Sequence, residues 1–138
     1  MPSATDAVTD LVHADTQVHE QGVDLTVASV ARLETPGQVD FGGDELADPT
    51  TTTISPDRRP GDAYGWWSLE AGTYLIEYNE TVTTDTPVVC QPRPALTARG
   101  ATHPTQWVTD LQPMPLTTAG IDLKENARIS TVVDPNPR

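Results

Sequence analysis

The chain has 138 residues, the length of one domain with one hydrophobic core and too short for two sizeable ones. Twenty Asp and Glu against eight Lys and Arg give a net charge of -12, which argues against nucleic acid as a partner because a phosphate backbone would be repelled. Arginine is retained while Lys124 is the only lysine, a balance that favours an extreme halophile, or a virus of such a host, over an ordinary acidic protein.

In the N-terminal arm, residues 1–20, Val8, Leu11 and Val12 fall at helical spacing. They predict a short amphipathic helix over residues 5–18 with Thr5 or Asp6 as N-cap. Residues 1–6 have neither the basic nor the apolar region of a signal peptide. No stretch approaches the ~20 apolar residues that span a bilayer, so a soluble, intracellular protein without a membrane partner is expected.

Over residues 22–33 the period changes to two. Val23, Leu25 and Val27 alternate with Asp24 and Thr26, which predicts a strand buried on one face only. Residues 34–62 hold Pro36, Gly42-Gly43, four consecutive threonines from Thr50 and Pro60-Gly61, and read as a long excursion with one short edge hairpin. Its acidic group around Asp40, Asp44 and Glu45 does not fit a twelve-residue calcium loop and reads as solvated.

Trp66-Trp67-Ser68-Leu69, then Glu70-Ala71-Gly72, then residues 73–78 predict a hairpin. On a strand the two indoles face opposite ways, so one fills the core. Trp66 and Trp67 are therefore candidate interface residues as well as core residues. Asn79-Glu80-Thr81 matches a glycosylation sequon that reads as chance.

Further strands are expected at residues 87–91, 105–111 and 127–133, giving an all-β sandwich or barrel with little helix. Cys90 stands alone, which excludes an intrachain disulfide and a cysteine-based zinc site within one chain. Its apolar setting predicts a buried, inert thiol. His13, His19 and His103 are scattered and read as surface residues, so no metal site is expected. The prolines of residues 134–138 cannot extend a sheet, and Pro135 and Pro137 become candidate contacts with a neighbouring protein.

Four segments in order resemble the dUTPase and dCTP-deaminase superfamily. Gln21-Gly22-Val23-Asp24-Leu25-Thr26 is similar to its N-G-V-D-L-T strand, and residues 67–76 to its x-x-L-x-P-G-x-x-x-L hairpin. Residues 92–100 stand where the superfamily has P-R-S-S-L-x-R-x-G, and residues 123–133 resemble L-x-x-G-x-R-I-A-Q-L-V. The resemblance implies one domain over residues 1–138, a distorted jelly roll of the β-clip type. It also implies a homotrimer with shared sites that bind nucleoside triphosphate and Mg²⁺.

Against that pattern, Pro94 and Ala95 replace both serines, removing two expected phosphate donors. Aligned on Trp107, Val108 takes the place of the water-orienting aspartate, Leu111 that of the base-stacking tyrosine and Gln112 that of the glutamate. Asp110 is the candidate replacement acid if the strand slips by two residues. Arg93 and Arg99 are candidate phosphate contacts, with ion pairing as the favoured alternative.

These replacements lead to the expectation of a non-enzymatic, homotrimeric structural protein without cofactor. A virion component such as a capsid decoration or turret subunit is the leading form, located in the virion or in a halophile's cytoplasm. The alternatives are a divergent dUTPase or dCTP deaminase, for which Mg²⁺ would be needed, and a nucleotide sensor that does not hydrolyse.

Overall fold

The computed structural model describes residues 3–135. Pro137 lies outside the described residues, while Pro135 is half-buried just beyond the last strand. In chain order the elements are α1 (Ala4–Ala7), β1 (Val8–Thr9), α2 (Ala14–Gln17), β2 (Val18–His19), β3 (Gly22–Leu33), β4 (Thr51–Ile54) and β5 (Asp57–Arg58). There follow β6 (Gly65–Tyr78), β7 (Thr81–Pro92), α3 (Pro94–Thr97), β8 (Ala101–Thr102), β9 (Gln106–Asp110), β10 (Met114–Lys124) and β11 (Arg128–Val133).

The fold is nearly all-β, as expected. An antiparallel sheet runs β1-β7-β11-β3-β6-β10-β8, with β2 and β4 added to β3, β5 to β6 and β9 to β7. The expected N-terminal helix is instead two single turns. Ser3, rather than Thr5 or Asp6, caps the first, and Asp6 closes a capping box from its third position. The break between the turns contains Asp10 at φ 64.

β3 corrects the expectation of a strand with one wet face. Val23, Leu25 and Val27 are buried, but so are Asp24 and Thr26, because the polar face is roofed by other polar groups. The strand opens at Gly22, where a Cβ would collide with the Val132 carbonyl of β11, so no larger residue fits.

The predicted hairpin at Glu70-Ala71-Gly72 is absent: β6 passes straight through it as one 14-residue strand. The pattern of burial explains the misreading. Trp67 and Leu69 are buried at odd positions, Tyr74 and Ile76 at even ones, and residues 70–73 between them are exposed. The partner strand β10 changes parity in step, burying Met114, Leu116 and Thr118, then Leu123, with Gly120 opposite Glu70. Two glycines thus let a paired ribbon roll over by one face without breaking its ladder.

The apolar side chains form two clusters rather than one core. One gathers Val27, Val30, Trp67, Leu69, Ile76, Leu116 and Ile129; the other gathers Ala7, Val23, Leu25, Val88, Cys90, Met114 and Val132. Tyr78 packs against both. Cys90 is buried, and burial pushes its thiol up to about 12, so the inert reading holds.

Candidate functional site

Polar side chains collect where the N-terminal arm, β3 and β11 meet. Asp24 is 0% exposed. Its Oδ1 takes hydrogen bonds from His19 Nε2 and Thr131 Oγ1, both at 2.8 Å. Its Oδ2 lies 3.0 Å from Arg128 Nη1 and 3.4 Å from Arg93 Nε. A carboxylate this deep requires such compensation, because desolvation of a lone charge costs several kcal/mol.

Arg93, a candidate phosphate contact, is therefore tied inward, and its Nη1 also donates to the Arg128 carbonyl at 3.0 Å. Arg99 is different. It is exposed, makes no ion pair among the described residues and donates to the Ala95 carbonyl at 2.9 Å.

A second buried carboxylate, Glu80, lies between β6 and β7. Glu80 Oε1 accepts from the Thr26 amide at 2.7 Å, while its Oε2 accepts from Thr26 Oγ1 at 2.6 Å and Gln17 Nε2 at 2.8 Å. Gln17 Nε2 also donates to the Asp24 carbonyl at 2.9 Å, linking the two acidic centres. Asn79 Nδ2 donates to Thr26 Oγ1 at 2.9 Å and Asn126 Oδ1 at 2.8 Å, so the sequon nitrogen is occupied within the fold. Asn126 itself has φ 67, a left-handed geometry that Asn tolerates, at the position where the resembled motif has glycine.

Glu80 lines a cavity of about 110 Å³ together with Glu77, Tyr78, Leu111, Gln112 and Pro113. Its far wall is the 111–113 connection, which carries the chain from β9, paired with β7, to β10, paired with β6 and β8. Asp110 ends β9 just before Leu111, is exposed, and accepts from Gln112 Nε2 at 3.1 Å. The ladder between β7 and β9 slips between the Val88–Val108 and Thr83–Asp110 pairs, so the irregularity lies in β7. A second, shallower cavity of about 340 Å³ lies between the end of α3 and β10, lined by Thr97, Gly100, Ala101, Thr102 and residues 117–119.

Behind the first cavity runs a buried chain of hydroxyls. His103 is 5% exposed, which corrects its assignment to the surface; His13 and His19 are exposed. Its Nδ1 donates to the Pro104 carbonyl at 2.8 Å, leaving Nε2 to accept from Ser130 Oγ at 2.7 Å. Ser130 Oγ in turn meets the Tyr78 hydroxyl at 2.6 Å. Burial lowers the His103 pKa and raises that of Tyr78.

The tryptophan pair is not an open interface. Trp67 is buried and donates to the Ile54 carbonyl at 2.8 Å. Trp66 is half-buried under Arg59, whose guanidinium carbon lies 3.8 Å from the ring centroid. The Trp66 indole N–H, with help from Lys124, holds Asp62 below its usual carboxylate range. The aromatic rings left open are Phe41, Tyr64 and Trp107, the last 68% exposed.

Among the described residues no group of three or more His, Cys, Asp or Glu is arranged to hold a metal ion. The Mg²⁺ implied by the resemblance finds no such group among the described residues of one chain. Among the described residues no helix is long and apolar enough to cross a membrane.

No family model matches the chain. A protein of Methanococcoides burtonii named "Probable deoxyuridine 5'-triphosphate nucleotidohydrolase" is 30% identical over 133 residues, covering 88% of this chain and 74% of the relative. The chain belongs to the dUTPase-like superfamily. A Methanosarcina mazei protein of the same name is 29% identical over 127 residues, and a Halobacterium salinarum one is 36% identical over 70 residues, 41% of that relative. The 2'-deoxycytidine 5'-triphosphate deaminase of Agrobacterium tumefaciens shares the fold, with a TM-score of 0.60 at 16% identity over 94% of this chain and 43% of the deaminase.

This dUTPase-like kinship overturns the expectation of a non-enzymatic virion subunit. The relatives are named as nucleotide hydrolases, and none of these comparisons connects the fold here with a capsid. The residues that differ from the superfamily pattern, Pro94, Ala95, Val108, Leu111 and Gln112, sit in a framework that is otherwise retained. Glu77, Glu80 and Gln17 were not singled out by the sequence, since no motif marks them and only the fold brings Gln17 to Glu80.

Proposed function

We propose that the chain is a divergent enzyme of the dUTPase and dCTP-deaminase type, acting on a deoxypyrimidine nucleoside triphosphate. It works as a homotrimer in the cytoplasm of a halophilic host. The observation that carries this reading is the kinship with probable dUTP nucleotidohydrolases along 88% of the chain. The reaction is either attack of water at the α-phosphorus, releasing pyrophosphate, or attack of water at C4 of cytosine, releasing ammonia.

Asp110 is the acid assigned to handle the water proton. It is exposed, next in sequence to Leu111 of the cavity wall, and Gln112 Nε2 donates to it. Arg99, whose guanidinium has no ion-pair partner among the described residues, is the phosphate contact; Arg93 is a framework residue. Incubation with dUTP and with dCTP plus Mg²⁺ in molar KCl tests the proposal. Turnover that Asp110→Ala abolishes is expected, and no turnover of either nucleotide sinks it.

One feature favours a second reading, binding without hydrolysis: neither Pro94 nor Ala95 offers a side-chain donor to a phosphate. Calorimetric binding of both triphosphates without product would select it.

A further inference from the structure

The excursion between β3 and β4 is a built projection rather than a slack loop. Gln38 and Ala47 exchange backbone hydrogen bonds of 2.8 and 3.0 Å, and Gln38 Nε2 donates to the Glu45 carbonyl at 2.7 Å. Asp40 folds the tip by accepting from the Gly43 and Glu45 amides at 3.0 and 2.9 Å. On this frame Val39, Leu46 and Phe41, the chain's one phenylalanine, stand open to solvent. Apolar side chains carried on a fixed frame lose little freedom on docking, and an aromatic ring among them is the usual anchor.

The cavity beside α3 offers a matching hollow. Its threonines spend their hydroxyls inside the fold: Thr97, Thr102 and Thr118 donate to the Pro94, His103 and Gly100 carbonyls, and Thr117 shares its own with Thr73. Methyl groups, alanine and glycine backbone are left to line it. At about 340 Å³ it is roomier than the ~150 Å³ that accepts a benzene ring.

Charge matches as well. Residues 33–57 hold six Asp and Glu, namely Glu34, Asp40, Asp44, Glu45, Asp48 and Asp57, and no Lys or Arg. Residues 86–109 and 111–121, which build the hollow, hold no Asp or Glu and include the exposed Arg99. In a chain of net charge -12 this is the stretch that repels an acidic loop least.

Projection and hollow lie at one end of the same sheet and on opposite sides of it. The loop leaves β3 at Leu33, and the row from Arg32 through Tyr74 and Leu116 leads across β6 and β10 to Thr117 and Thr102. Within one chain they do not meet, since Phe41 is fully exposed. Two different patches that fit each other make a head-to-tail contact, which closes into a ring when repeated about a rotation axis.

We propose that the 39–46 tip of one protomer docks in the hollow beside α3 of a second copy, head to tail around the trimer, with Phe41 as the anchor. The inference rests on the homotrimer of the proposed reading and names the surfaces that join it.

Light scattering on the full chain in molar KCl should find a trimer. Phe41→Ser and Ala119→Glu, both exposed changes whose folding is checked by circular dichroism, should each weaken self-association on the order of tenfold or more. Mixing Phe41→Cys protein with Ala119→Cys protein, tagged to differ in mass and treated with oxidised glutathione, should yield the mixed disulfide in excess, Cys90 being buried. A monomeric parent protein, an association that either variant leaves unchanged, or no excess of the mixed disulfide would each overturn the proposal. Turnover of dUTP or dCTP by a monomer would overturn it and leave the enzymatic reading standing. A trimer joined by this contact without turnover of either would sink that reading alone.

Discussion

Asp24 on β3 and Arg93 after β7 stand 69 positions apart in the chain, with Asp24 Oδ2 3.4 Å from Arg93 Nε and fully sealed from water. The contact turns a residue with the look of a phosphate ligand into a strut, and it binds the first and third superfamily segments together at their polar face. Asp24→Asn leaves Arg93 and Arg128 without a counter-charge in a partly closed site. A loss of about 3–5 kcal/mol is expected from breaking such a buried pair, read by urea unfolding in molar KCl. A loss under about 1 kcal/mol would place the pair with ordinary surface bridges.

His103 gives a pH dependence with a definite sign. Burial holds its folded pKa below the ordinary 6.5, so the unfolded chain binds the proton more readily. The stability it contributes is fully present above pH 6.5 and is lost as the pH falls through the folded value. His103 faces Ser130 and the Pro104 carbonyl, with Tyr78 and Cys90 behind them. Thermal unfolding from pH 7.5 to 5 should show a falling midpoint in the parent protein and a flatter one in His103→Gln.

The tryptophans separate core from surface. Trp67→Ala empties a buried site and should cost about 3–5 kcal/mol. Trp66→Ala forfeits the Arg59 stack and the Asp62 hydrogen bond and should cost about 1–2 kcal/mol. Denaturation midpoints of the two variants test the order.

Cys90 should resist a thiol reagent in the folded protein, since its thiol is both buried and pushed up to about 12. Labelling with an aromatic disulfide is expected only after unfolding. Rapid stoichiometric labelling of native protein would contradict that placement.

A net charge of -12 predicts that added salt stabilises the chain by screening self-repulsion. The unfolding midpoint should climb between 0.1 M and 2 M KCl. A flat response would remove the halophilic reading.

The strands announced themselves where apolar residues alternate without interruption, as at Val23, Leu25 and Val27, and around Ile129 and Val132. Alternation could not reveal that Asp24 faces inward, because a polar residue aimed at water and one aimed at Arg128, 104 positions later, look alike in sequence. β10 went unpredicted since Thr117-Thr118-Ala119-Gly120 interrupts its pattern, and Leu69-Glu70-Ala71-Gly72 mimics a turn for the same reason. The motif spacing marked the segments around Arg93 and Trp107, but the cavity depends on Glu77 and Glu80 at the end of a ribbon, which no local signal carries.

The matched roll of β6 and β10 at Gly72 and Gly120 also limits how this chain can change length. Removing one residue from the outer half of either strand would turn Trp67 or Leu123 toward water while its partner kept its old facing. Insertions and deletions there are tolerable only in twos, or as compensating singles on both strands. Length variation among descendants of this chain should therefore be quantised along the ribbon and free in the loop at its side.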